Sequence, residues 1–231
     1  MIAFEDIFHR ALPLFDDPDI SIQSVKDPVA FQKNMRDLLI GACSLFTVPS
    51  TITSKLHKQS PSQGQLETFE GNGGSTFNLS TTPVDNSVLS FYVAGEPVVG
   101  GSYNAETGVA TFPASVPTGT KCAVAWYFAG AFTADFSRSL RGDFDMDFIL
   151  IRIEDILAYG ITVEWDNREM NRALDIRNIP YDTDFKISSP ANSAKAKVDH
   201  HLQVQTRMNE MISDLGWYIQ SLPKGGTEFG Q

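Results

Sequence analysis

The chain has few of the features that mark disulfide-rich, secreted or membrane proteins. Only two of its 231 residues are cysteines. Cys43 and Cys122 cannot form a disulfide framework or a metal cluster by themselves, so we interpret both as small core residues. No apolar run approaches the roughly 18 residues that a membrane-spanning helix needs, and Glu5 and Asp6 stand where a secretory signal carries basic residues. We therefore expect no membrane partner and a protein that stays in the cytoplasm of the cell that makes it.

Basic residues are in the minority, which bears on nucleic-acid binding. The chain has 28 acidic and 18 basic residues, a net charge of −10, so its surface should repel phosphates and a sequence-reading nucleic-acid binder is not expected. The acidic excess is uneven, because residues 143–184 hold eleven acids and four arginines, whereas residues 71–131 hold three acids and one lysine.

Residue patterns that would indicate catalysis are also missing. The sequence contains no HExxH or GxSxG motif and no phosphate-loop lysine. Residues 71–76 (GNGGST) lack the lysine and the following helix of a nucleotide-binding loop, so we interpret them as a turn between strands. We predict that the protein is not an enzyme, has no catalytic residues and binds no cofactor.

One stretch does resemble a calcium loop. Asp143, Asp145, Asp147 and Glu154 occupy positions 1, 3, 5 and 12 of that template, but position 6, which should be glycine, is Phe148. We favour a helix N-terminus rich in acids, which the helix dipole stabilises. No metal site is predicted.

Two further patterns resemble binding sites, but we predict no site at either of them. His200 and His201 are neighbours on a predicted helix and point about 100° apart, which is unsuited to chelation, and we expect His201 to be partly buried. Residues 141–143 (RGD) match an integrin-binding tripeptide, but a tripeptide recurs often by chance.

Helical periodicity dominates the N-terminal part of the chain. It predicts a first helix over residues 4–12 and a second over residues 28–46, the latter opened by a capping Asp27 and by Pro28. Residues 50–70 have mixed polarity and are interpreted as an extended link with one strand near residues 50–56.

The central part alternates as β-strands do. Four runs, separated by turns rich in proline, asparagine and glycine, predict a small antiparallel sandwich or barrel-like module over residues 71–131: TFNLST, SVLSFYVAG, GVATFP and KCAVAWYFAG.

Helical periodicity returns in the C-terminal part. A helix from residue 144 towards Pro180 is predicted, with Gly160 at a kink or a close packing contact. Ser189 and Pro190 open a second long helix that ends at Pro223. Its apolar stripe is predicted to contain Val198, Leu202, Met208, Met211, Ile212, Leu215 and Ile219.

Together these elements predict an α+β protein. Residues 1–60 and 132–222 would form a discontinuous helical bundle, and residues 71–131 a small antiparallel β module inserted into it. Residues 223–231 would form a C-terminal arm.

The aromatic residues of the β module leave an alternative function open. The rings of five residues could stack on sugars, as in a tail-associated protein that binds host glycans or receptors, although alternation places about half of them in the core. They are Phe91, Tyr92, Trp126, Tyr127 and Phe128.

The order of elements and several phrases resemble a known family. A helical pair, a β module containing FNLSTTPVDN, FYVAGEPV, YNAETGVATFP and GTKCAVAWYF, and a C-terminal pair joined by DTDFKISSPANSAKAK are similar to the head-to-tail connector (adaptor or neck) proteins of tailed bacteriophages. The resemblance implies a structural virion protein in the neck that forms a homo-oligomeric ring, commonly a dodecamer. The portal protein, downstream tail or neck proteins and DNA passing without sequence-specific binding would be its partners.

The same resemblance suggests two groups of site residues. The C-terminal arm would contact the portal or a neighbour through Pro223, Lys224, Phe229 and Gln231. A channel for DNA should not capture phosphates, so we expect four acids of the C-terminal part to face the lumen: Glu164, Asp166, Glu169 and Asp175.

Overall fold

The computed structural model describes residues 2–47, 49–136, 145–177 and 190–221. These residues contain six α-helices and small antiparallel sheets, so the predicted α+β class is confirmed. They fall into two compact units. The helical unit comprises the described parts of Met1–Leu14, Asp37–Gln59 and Phe132–Gln231, and the β unit comprises Phe15–Arg36 and Ser60–Ala131.

The helical unit is built around two long helices. Its helices are α1 (Phe4–Ala11), the second half of α3 (Pro28–Leu45), α4 (Ser50–Leu56), α5 (Met146–Arg177) and α6 (Pro190–Ser221). Helix α5 packs against both α6 and α1. Four residues of the apolar stripe predicted for α5 are fully buried: Ile149, Ile153, Ile156 and Leu157.

Gly160 permits a close approach between helices. A Cβ atom at this position would lie 2.8 Å from the Cβ of Ala42 and 3.3 Å from Cε of Met208, and α5 continues through it without interruption. Of the two predicted roles, the close packing contact is confirmed.

The apolar stripe predicted for α6 is only partly buried. Met208 and Leu215 lie in the core, but Val198 and Leu202 are exposed, and the buried face begins at Val204. The prediction for Val198 and Leu202 was wrong because polar pairs, described below, join α6 to α5 at that end.

The link predicted for residues 50–70 was also wrong. Residues Ser50–Leu56 form α4, in which Ile52 and Leu56 are both buried. One turn of helix places these two side chains on the same face, and their burial outweighs the strand preference of the β-branched residues.

The β unit holds two sheets and a helical segment. A four-stranded sheet has the order β2-β8-β4-β5 and a three-stranded sheet the order β3-β7-β6, all antiparallel. The strands are β2 (Gln63–Glu70), β3 (Thr76–Asn78), β4 (Val88–Val93), β5 (Glu96–Val98), β6 (Ser102–Asn104), β7 (Val109–Thr111) and β8 (Lys121–Phe128). A short pair, β1 (Ile2–Ala3) and β9 (Ala131–Phe132), completes the strands of the described residues.

An aromatic cluster forms the core of the β unit. The Phe112 ring makes edge contacts with the rings of Phe77 and Phe91, at centroid distances of 5.4 and 5.2 Å. Val124 and Cys122 of β8 complete one side of this cluster. All four predicted strand runs contribute to the fold, while β2, β5 and β6 were not predicted.

Helix α2 (Pro18–Lys26) and the first half of α3 also belong to the β unit. Asp27 caps α3 as predicted, because its Oδ1 accepts a hydrogen bond from the backbone N–H of Ala30 at 3.1 Å. The sequence-based boundaries at residues 60, 71 and 131 stay a prediction.

Candidate functional site

A cavity of about 1270 Å³ lies along β2 in the β unit. One side of it is formed by α3, through Val29 and Lys33. Its floor is the face of the sheet that turns away from the aromatic core. We call this cavity the edge groove and define it by Val29, Lys33, Gly64, Leu66, Thr68, Ala123 and Ala125.

The strand register explains why mostly short and apolar side chains line this floor. Leu66 lies opposite Ala125 and Thr68 opposite Ala123, so these four side chains share one face, whereas the neighbouring Phe69 packs against the core. Small alanine and threonine side chains leave space above β8 and β2. The Leu66 side chain stands in that space with 59% of the residue exposed.

A partly buried hydrogen-bond network holds α3 against the sheet. Asp27 Oδ1 accepts from Ser90 Oγ at 2.7 Å and from the Tyr92 hydroxyl at 2.8 Å. Ser90 Oγ in turn accepts from the backbone N–H of Val29 at 3.0 Å. Burial, with the bond to Asp27, raises the pKa of Tyr92 to about 12. The helical wall of the edge groove is therefore anchored to its floor.

Two lysines stand at the ends of the edge groove. Lys33 Nζ lies 5.5 Å from the centroid of the Tyr127 ring, and Tyr127 pairs with Gly64 at the start of β2. Lys121 lies opposite Glu70 at the other end of β2. Both lysines are exposed, and within the described residues neither has a carboxylate within 4.0 Å.

The acids predicted to line a channel are found in different settings. Asp166 Oδ2 lies 3.0 Å from His200 Nδ1, and Glu169 lies 3.6 Å from Lys197 Nζ. Both acids thus meet basic groups of α6, which sequence alone did not indicate.

Of the other two predicted acids, the structure describes the side chain of Glu164 only. The side chain of Glu164 is half-buried and lies against Gly41, where a Cβ atom would be 2.9 Å from its Cδ. Asp175 belongs to α5, and its side chain lies outside the described residues.

The predicted contact residues of the arm, Pro223, Lys224, Phe229 and Gln231, also lie outside the described residues. Their role stays a prediction.

Three of the five aromatic residues considered for sugar binding are buried. Phe91, Trp126 and Tyr127 are buried at 4%, 5% and 8% exposure, and the hydroxyl of Tyr92 is bound to Asp27. Phe128 is half-buried. Stacking on a sugar needs an accessible ring face, which Phe91, Trp126 and Tyr127 lack, and the glycan alternative stays a prediction.

An acidic residue at the start of α5 caps the helix. Asp145 Oδ1 accepts from the backbone N–H of Phe148 at 3.1 Å, as a capping residue does. Glu154 is engaged elsewhere, because Arg10 donates to it at 2.9 Å and to Asp155 at 2.8 Å. Over the residues that the structure describes, no group of three or more histidine, cysteine or acidic side chains could hold a metal ion.

Cys122 is buried, as predicted for a core residue, whereas Cys43 is half-buried. Burial raises the pKa of the Cys43 thiol to about 12, and burial also raises the pKa of the Cys122 thiol. Both thiols are therefore protonated at neutral pH and are poor nucleophiles. His201 is half-buried, and its Nδ1 makes no hydrogen bond to another described residue.

Helix α6 exposes large apolar side chains on the side opposite its buried face. Trp217 is 73% exposed and Leu202 is 52% exposed, whereas Met208, Met211 and Leu215 are buried. The adjacent Tyr218 turns towards α5, and its ring packs on the Phe148 ring with a centroid distance of 4.9 Å and an interplanar angle of 60°. A residue such as Trp217, with a large apolar surface in water, is typical of protein interfaces.

Comparison with known proteins found no matching family model, no matching curated protein and no matching solved structure. Over the part of the chain that the structure describes, no helix is both long enough and apolar enough to cross a membrane.

Proposed function

We propose that the protein is a structural component of a bacteriophage virion. In this proposal it forms a homo-oligomeric ring in the neck of the particle, joins the portal to the tail and leaves a channel for DNA. The ring would contact the portal protein and downstream neck or tail proteins, and it would carry out no catalysis. It would be made in the cytoplasm of the host bacterium.

The observation that carries the proposal is the exposure of Trp217 and Leu202 on α6. Large apolar side chains exposed on one helix face cost free energy in water, and burial between subunits recovers about 25 cal/mol per Å² of apolar area. A ring repeats one contact between successive copies, so a single helix face per subunit can contribute to every interface.

Adjacent aromatic residues offer a direct test. Trp217→Ala should leave the melting temperature of the subunit nearly unchanged and shift the sedimenting species from an oligomer to a monomer. Tyr218→Ala is the matched control, since it removes a ring that packs on Phe148 inside the subunit. It should lower the melting temperature and keep the oligomer. Equal sedimentation of the Trp217 variant and the wild type would refute the role of this face.

The DNA channel requires its own test. Reversal of Asp166 or Glu169 to lysine would break contacts with α6, so it could not separate a channel role from a folding role. Glu164→Lys is combined with Asp175→Lys, because Glu164 forms no ion pair with another described residue. Together they should slow DNA ejection, most strongly at low salt, because added cations bind phosphates and release counterions. Unchanged ejection across a range of salt concentrations would remove these two acids from the channel.

A further inference from the structure

We propose that the edge groove binds an extended peptide segment of a partner protein, which joins the four-stranded sheet beside β2. The segment would carry an acidic side chain at the Lys33 end and apolar side chains beside Leu66. This inference does not depend on the ring or on the neck location.

The two edges of the sheet differ in how open they are. The β5 edge is three residues long and includes Pro97, and a short strand with proline resists further pairing. The β2 edge is eight residues long and contains no proline, and six of its eight residues are exposed. An unpaired strand of this kind presents N–H and C=O groups that an incoming strand can bind.

The groove beside β2 supplies room and side-chain contacts. At about 3.3 Å per residue, eight residues of β2 span about 26 Å, which suits a segment of six to eight residues. Alternate side chains of such a segment would lie beside Leu66 on the groove face of the sheet, and 59% of Leu66 is exposed. Burial of this leucine would favour binding.

Charge favours an acidic segment. Lys33 and Lys121 are exposed cations in a chain of net charge −10, and neither has an ion-pair partner among the described residues. Glu70 lies opposite Lys121 and offsets its charge. The Lys33 end of the groove should therefore attract a carboxylate more strongly than the Lys121 end does.

The test uses the full chain and a synthetic peptide of alternating valine and threonine with a glutamate at each end. Titration should shift the amide resonances of β2 and slow their hydrogen exchange. A peptide with lysine at each end should bind at least tenfold more weakly, and so should a peptide whose backbone amides are N-methylated on one edge.

Three variants locate the binding. Leu66→Lys places a charge on the open edge and should abolish binding, while Ile22→Lys, at a 47% exposed apolar position in α2 of the same unit, should bind as the wild type does. Lys33→Glu should reverse the preference and favour the lysine peptide. Circular dichroism checks that each variant is folded.

Several results would overturn the proposal: no shift of β2 amides at millimolar peptide, equal binding of the glutamate and lysine peptides, or equal binding of the N-methylated peptide. Protection of β2 amides that rises with protein concentration, without peptide, would assign the edge to a second copy of the chain instead. A monomeric chain that still binds the peptide would contradict the ring but not this inference.

Discussion

The helical unit and the β unit are stabilised by different interactions. The ion pairs among the described residues lie in the helical unit, as in Arg10 with Glu154 and Glu169 with Lys197. In the β unit the corresponding contacts are edge-to-face phenylalanine rings and the network of Asp27, Ser90 and Tyr92. The stability of the helical unit should therefore depend on salt, and that of the β unit on the packing of its core.

The largest effect is expected from the aromatic core. Phe112→Ala removes a ring that contacts Phe77 and Phe91, and loss of a buried phenylalanine costs about 3–5 kcal/mol. Hydrogen exchange should show strands β3, β4 and β7 losing protection while α5 keeps it. Equal loss of protection in both units would show that they unfold together, and it would contradict the claim that their stabilities have separate sources.

A smaller effect is expected at the helix contact of Gly160. Gly160→Ala places a Cβ atom 2.8 Å from Ala42, and overpacking of this kind costs about 1–3 kcal/mol, more than the helix propensity gained. Gly216→Ala on α6 is the control, because no described atom outside its own turn of helix lies within 4 Å of the added Cβ. It should stabilise the protein by about 0.5–1 kcal/mol. Denaturant melts measure both variants, and Ala42→Gly should rescue the first.

Alkaline pH should weaken the β unit through Tyr92. The pKa of this phenol is raised from 10.0 to about 12 in the folded protein, so the folded state holds its proton more tightly than the unfolded state does. Its stabilising contribution is complete below pH 10 and is lost as the pH rises towards 12. Tyr92→Phe should remove this part of the pH dependence. A pH profile that is identical in the variant would contradict the assignment.

The smallest effect is expected from the ion pairs. Glu169→Gln should destabilise the helical unit by less than about 1 kcal/mol, because partly exposed pairs contribute little, and the difference from wild type should shrink in 1 M salt. Glu106→Gln, at an exposed turn of the β unit, should change nothing. A difference that persists in high salt would mean that Glu169 acts through packing.

Periodic burial made the long elements predictable from sequence. The capped start of α3 follows from Asp27 and Pro28, and the buried stripe of α5 follows from the spacing of its apolar residues. Helix α4 was missed because its β-branched residues favour strands locally, and only the burial of Ile52 and Leu56 determines the outcome. Strand β2 was missed because an exposed edge strand shows little alternation of apolar residues.

The candidate site could not be predicted in the same way. The edge groove depends on which part of the sheet α3 leaves uncovered, and therefore on contacts such as Val29 with Ser90, which lie 61 residues apart. Likewise, the partners of Asp166 and Glu169 follow from the packing of α5 against α6. Local patterns identify charged or apolar residues, but they do not specify which distant residues meet them.

The native mass of the purified wild-type chain tests the proposed function most directly. Native mass spectrometry should give one discrete species at an integer multiple of the 25.5 kDa subunit, and electron micrographs of that species should show rings with a central opening. A chain that stays at 25.5 kDa up to tens of micromolar, or that forms open aggregates of many sizes, would contradict the proposal.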